Sequence, residues 1–88
     1  MEDVYVEEFM SQGCVGCPAV KAMLEEFANE FQGRLIVEEV DIAVDAVRAA
    51  QYGIMTVPAV AINGTLKFMG IPSRTDLRNA ILEEMKEP

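Results

Sequence analysis

The chain predicts an α/β fold in which a mixed four-stranded sheet is flanked by three helices, in the order β-α-β-α-β-β-α. Three observations lead there. Residues 5–10, rich in aromatic and β-branched types, precede an amphipathic stretch over residues 18–31 and a second Leu/Ile/Val-rich segment over residues 35–42. A strand–helix–strand run of this kind implies parallel neighbours joined by a right-handed crossover. Asn63-Gly64, set between the apolar residues 59–62 and the segment 66–69, is the strongest short hairpin signal and implies an antiparallel pair. Finally, 88 residues with 51% hydrophobic and 25% charged side chains make one globular domain over residues 1–88.

Each element has its own justification. Ser11, Gln12 and Gly13 break the first strand. In the first helix Val20, Met23, Leu24, Phe27 and Phe31 fall at helical spacing, and Lys21, Glu25, Glu26, Asn29 and Glu30 take the other side. Gly33 stands in the position after a helix end that favours glycine. Residues 43–52 read as a short Ala-rich helix closed by Gly53. Residues 59–62 are almost uninterruptedly apolar, the pattern of a buried strand. Ser73-Arg74-Thr75-Asp76 has the form of a capping box with Asp in the fourth place, and Leu77, Ala80, Ile81 and Met85 make the apolar face of a last helix.

Composition excludes several classes of function. Fifteen acidic residues oppose seven basic ones, for a net charge of −8. A polyanionic partner such as nucleic acid is therefore not expected, and the acidity reads as a solvated surface. Histidine is absent, which removes Ser-His-Asp and Cys-His nucleophiles and the common zinc hydrolase sites. Two cysteines are too few for a disulfide-dense scaffold or a Cys₄ metal site in one chain. The start, Met1-Glu2-Asp3, lacks the basic and apolar regions of a signal peptide, and no apolar run approaches the ~20 residues that span a bilayer. A cytoplasmic monomer without membrane attachment is expected.

Both cysteines fall within Cys14-Val15-Gly16-Cys17, where the first strand gives way to the first helix. A helix N-terminus carries unpaired N–H groups and about half a positive charge, which stabilise a thiolate. Cys14, at or just before the first turn, is best placed to gain a depressed pKa and act as nucleophile. Cys17, three residues on, shares its helical face and is placed to resolve a mixed disulfide formed at Cys14. The alternatives are inert buried thiols and half of an intermolecular metal or iron–sulfur site. CxxC at a β-α junction favours the redox reading, and two ligands per chain without an imidazole disfavour metal. No cofactor is needed, since the cysteine pair itself holds the electrons. Pro18 costs little in the first turn and fixes how Cys17 enters the helix.

The CxxC junction, together with Thr56-Val57-Pro58 ahead of the strand–hairpin–helix ending, resembles the thioredoxin/glutaredoxin superfamily over essentially the whole chain. Within it, Tyr52-Gly53-Ile54-Met55-Thr56-Val57-Pro58-Ala59 and Ile62-Asn63-Gly64 are similar to the small glutaredoxin-sized, thioredoxin-like proteins of archaea. The resemblance implies a thioredoxin fold and a dithiol–disulfide oxidoreductase that reduces protein disulfides and is recharged by a thioredoxin-reductase-type donor. It implies a cis peptide bond before Pro58, against a base rate of about 5–6% for X-Pro bonds; the alternative is a trans proline opening a strand. Val15, Thr56, Val57, Pro58 and Gly70 would line the substrate site, with the backbone of Val57 pairing with an extended substrate segment.

Departures and weaker signals refine this expectation. Gly13 and Val15-Gly16 stand where thioredoxins usually carry Trp and Gly-Pro, and Gly70-Ile71-Pro72-Ser73 replaces the Gly-Gly-acid pattern of glutaredoxins. Glutathione is an anion, for which Lys21, Arg74 and Arg78 are the candidate positive charges in a chain of net charge −8, so it is the less fitting partner. By the resemblance Glu8 holds the place of a buried acid that moves protons. The commoner situation is that Glu7 and Glu8 are both solvated at a strand end, as carboxylates usually are. Lys21 reads as a solvated helix-face residue or a support for the thiolate. Val15, Ile54, Met55, Val57, Met69 and Ile71 are candidates for an apolar rim around the sulfurs.

Overall fold

The structure, a computed structural model, describes residues 3–85; Met1 and Glu2, part of the acidic start, lie outside it. Its elements are β1 (Val4–Met10), α1 (Cys17–Glu30), β2 (Leu35–Asp41), α2 (Ala46–Gln51), β3 (Ala59–Ile62), β4 (Thr65–Met69) and α3 (Arg74–Met85). The sheet order is β2-β1-β3-β4. β1 and β2 are parallel, and β1–β3 and β3–β4 are antiparallel. The expected α/β architecture of a mixed four-stranded sheet with three helices is thus present.

Side chains on β1 alternate between two cores, as the two-residue period of a strand requires. Val4 and Val6 face α1 and α3, where they bury with Val20, Leu24, Phe27, Leu77 and Ile81. Phe9 points to the other face and packs with Val40, Ala49, Ile54, Ala59 and Ala61 beneath α2. Burying each large apolar side chain contributes roughly 1.5–3 kcal/mol. The central strands and the helices share this burial, and all four residues of β3 are buried.

Local chemistry sets the element ends. At the β3–β4 turn Asn63 has φ 48° and Gly64 φ 83°, the paired positive angles of a type I′ hairpin. Asn63 Oδ1 also accepts the Tyr5 amide at 2.8 Å, tying the hairpin to β1. α3 starts as its sequence predicts, because Ser73 Oγ accepts the Asp76 amide at 3.0 Å. Arg74 pairs with Glu26 and Arg78 with Glu30, while the two guanidinium groups lie over the Phe27 and Phe31 rings. These contacts bind α3 to α1.

Three expectations are corrected. α2 does not begin at residue 43 but at Ala46. Asp41 captures the preceding turn: its carboxylate accepts the Ala43 amide at 2.9 Å and its carbonyl accepts the Val44 and Asp45 amides. Asp45 then caps the helix by accepting the Arg48 amide at 3.1 Å. α1 ends one residue earlier, with Gln32 (φ 50°) taking the first left-handed position ahead of Gly33. Its first residue is Cys17, so the second cysteine belongs to the helix itself.

Candidate active site

β1 delivers the chain to the cysteines and α1 carries it away. After Met10, the Cys14 amide donates to the Ser11 carbonyl at 3.3 Å, forming a turn. Gly16 occupies the N-cap with no side-chain cap, and Pro18 sits in the first turn. Cys14 and Cys17 are joined in a disulfide with Cα atoms 5.4 Å apart. Cys14 is half-buried, whereas Cys17 is buried. Cys14 is therefore the more accessible of the two. The open N-terminal turn of α1 supplies the N–H groups and positive dipole end that favour charge on sulfur.

The Val57-Pro58 bond is cis. The Gly70 amide donates to the Pro58 carbonyl at 2.8 Å, fastening this loop to the end of β4. Gly16 lies under both Pro58 and Ile71: a Cβ placed on Gly16 would stand 2.8 Å from Ile71 Cδ1 and 3.4 Å from Pro58 Cδ. Thus the CxxC turn, the cis-proline loop and the β4–α3 connection meet at one glycine. Space rather than backbone conformation favours glycine there, since its φ of −86° suits any residue.

The surrounding rim is apolar and open. Val15 is 96% and Met55 87% exposed, and Met69 and Ile71 are also largely exposed. Thr56 is exposed and Val57 half-buried. Ile54 does not belong to this rim. It is buried in the core beneath α2, because it is the inward residue of the turn that leaves that helix.

Both glutamates of β1 are buried, contrary to the solvated reading. α1 covers the face of β1 that carries Glu8, and α2 with Tyr52 covers the face that carries Glu7. Glu7 is matched by polar partners: Tyr52 donates its hydroxyl to Glu7, and Arg48 stands 3.5 Å from Glu7 and 3.0 Å from Glu38. The hydrogen bond to Glu7 pushes the Tyr52 phenol up to about 12. Glu8, only 1% exposed, has no such partners, and neither of its oxygens is hydrogen-bonded among the described residues. Burial, reinforced by Glu39, pushes its carboxyl up to about 7. Glu8 lines a cleft of about 290 Å³ together with both cysteines, Gly13, Pro18, Lys21 and Glu39. Lys21 does lie on an exposed helix face, but it is paired with Glu39 at 3.5 Å.

Comparisons with known proteins agree with this geometry. A thioredoxin-domain family matches residues 4–82. The chain belongs to the thioredoxin family. It is 45% identical to a probable thioredoxin of Methanothermobacter thermautotrophicus over 94% of this chain and 98% of that one. It is 39% identical to a thioredoxin of Methanocaldococcus jannaschii over 97% of this chain and 100% of that one. A mutant thioredoxin from Halobacterium salinarum shares the fold with a TM-score of 0.83 at 21% identity, covering 99% of this chain and 79% of that one. Family membership and the CxxC pair make the protein a dithiol–disulfide oxidoreductase of the thioredoxin type.

Two residues of this thioredoxin site escape a reading of the sequence. Gly16 gains its importance from Pro58 and Ile71, which lie far along the chain, and nothing local signals it. Glu39 is different. Val-Glu-Glu occurs in both β1 and β2, and the parallel register pairs Val6 with Val37, Glu7 with Glu38 and Glu8 with Glu39. That repeated tripeptide is a legible signal of facing carboxylates.

Proposed function

We propose that Cys14 is the attacking thiol and Cys17 the resolving thiol in the reduction of protein disulfides. The observation that carries this assignment is their unequal exposure, with Cys14 half-buried and Cys17 buried, in a cleft that Glu8 also lines. The Cys14 thiolate attacks a substrate disulfide, forming a mixed disulfide and releasing one substrate thiolate. Cys17 gives its proton to the Glu8 carboxylate and attacks Cys14. The second substrate thiolate leaves as the Cys14–Cys17 bond forms, so two electrons have passed from the dithiol to the substrate.

Val15, Thr56, Val57, Pro58 and Gly70 form the substrate site in this reading. Proline has no N–H to compete at the sulfurs, and the backbone of Val57 beside it offers main-chain pairing to an extended segment. Main-chain recognition tolerates varied sequences, which suits a general reductant. The protein works as one domain over residues 1–88, as a cytoplasmic monomer recharged by a thioredoxin-reductase-type donor. Glutathione fits less well, because Arg74 and Arg78 are engaged with Glu26 and Glu30 and Lys21 with Glu39.

Turnover of insulin with NADPH and thioredoxin reductase, run beside turnover with glutathione and its reductase, tests the donor. Faster turnover in the first system is expected; exclusive turnover in the second overturns this part of the reading. Zinc or iron at a stoichiometric level in anaerobically purified protein would favour a CxxC metal-binding dimer instead.

A further inference from the structure

The described methionines divide sharply by exposure. Met85 is buried, and Met10 and Met23 are half-buried. Met55 is 87% exposed and Met69 58%. Both exposed thioethers flank Pro58. Met55 stands three residues ahead of it in the same loop, and Met69 pairs with Ala59, the residue that follows it. The Gly70 amide, next to Met69, holds the Pro58 carbonyl and ties the two segments together. With Cys14 and Cys17 joined in the disulfide, neither offers a thiolate to an oxidant. In that state Met55 is the most open thioether among the described residues, and it lies on the face that receives substrate.

We propose that Met55 is a modification site, at which a hydroperoxide converts the thioether to a sulfoxide and so weakens the substrate face while the cysteine pair stays intact. The Met55 sulfur attacks the outer oxygen of the hydroperoxide. The S–O bond forms as the O–O bond breaks, and the proton on the transferred oxygen passes to the leaving oxygen. Sulfur has then lost two electrons, and the hydroperoxide has become water or an alcohol. The product is a polar side chain in place of an apolar one. A protein docking on this face must strip water from the new oxygen, which costs affinity. A small disulfide that reaches Cys14 without covering Met55 meets no such cost. Reduction of the Cys14–Cys17 bond leaves the sulfoxide in place, since its repair is the work of separate enzymes. The modified protein therefore still carries its electrons but delivers them slowly to other proteins.

This inference rests on the substrate face proposed above. In the test, the disulfide form is treated with hydrogen peroxide, freed of it, reduced with dithiothreitol and mapped by mass spectrometry. Among the described methionines, sulfoxide is expected at Met55 first and at Met69 next, ahead of Met10, Met23 and Met85. Single-turnover reduction of insulin should slow by about four- to tenfold, the size of losing part of one apolar side chain's burial. Reduction of hydroxyethyl disulfide by the same sample should keep its rate. Met55→Leu should escape most of the slowing under the same treatment. Oxidation of Met10 or Met23 ahead of Met55, slowing shared equally by both substrates, or equal slowing in Met55→Leu overturns the inference. Met55→Gln, never treated with peroxide, separates the two levels. It should reduce insulin slowly, and a parental rate in that variant refutes the placement of Met55 on the substrate face itself.

Discussion

Gly16 lies directly beneath Ile71, with room between them for a hydrogen but not for a methyl group. The contact joins the CxxC turn to the connection between β4 and α3. Ile71 is also largely exposed, so its terminal carbon can swing outwards if pushed. Gly16→Ala is therefore expected to cost little stability, less than about 1 kcal/mol, since the backbone angles suit alanine. Its effect falls on the substrate face: KM for insulin rises as Ile71 is displaced from the rim. In a double-mutant cycle with Ile71→Ala the two effects should not add. Additive effects would mean that the two residues act independently.

Gly70 provides the complementary test of how the Pro58 loop is held. Its φ is 94°, and a Cβ there would meet nothing within 4 Å. Gly70→Ala thus isolates the conformational cost, about 1–3 kcal/mol for a non-glycine residue held in this region. Urea denaturation should show a lower midpoint with an unchanged slope. Because the Gly70 amide holds the Pro58 carbonyl, kcat/KM should fall as well.

Burial of Glu8 has a stability consequence with a definite sign. The folded state holds the Glu8 proton up to about pH 7, whereas the group ordinarily titrates at 4.5. Over that interval the folded protein binds more protons than the unfolded one, so stability falls as pH rises. The stabilising contribution is fully present below pH 4.5 and is lost through about pH 7. Its size is on the order of 3 kcal/mol. Glu8→Gln should flatten this slope, leaving the variant more stable than the parent at pH 8. Equal slopes for the two proteins would show that Glu8 is not buried as a carboxylic acid.

Much of the fold is legible in the residues themselves. The stripe Val20, Leu24 and Phe27 marks the buried face of α1, and Asn63-Gly64 marks the hairpin, because both depend on local periodicity or local backbone angles. The start of α2 is not legible from its alanines. Asp41 takes the amides of the turn before it, and side-chain capture of this kind outweighs a weak helix propensity. The site divides the same way. Cys14 and Cys17 are plain from their spacing at a strand–helix junction. The burial of Glu7 and Glu8 runs against the habit of their residue type and follows from the elements packed on the two faces of β1, α1 over Glu8 and α2 with Tyr52 over Glu7, the latter some forty residues along the chain. The roles of Gly16 and Gly70 depend likewise on partners distant in the sequence.

The order of attack by the two cysteines is the central claim, and trapping tests it most directly. Reduced Cys17→Ser is mixed with a disulfide-bearing protein substrate, and the adduct is mapped by mass spectrometry. A stable one-to-one mixed disulfide at Cys14 is expected, while Cys14→Ser should trap nothing comparable and lose insulin reduction. Full activity in Cys14→Ser, or an adduct formed preferentially at Cys17 in that variant, would contradict the account.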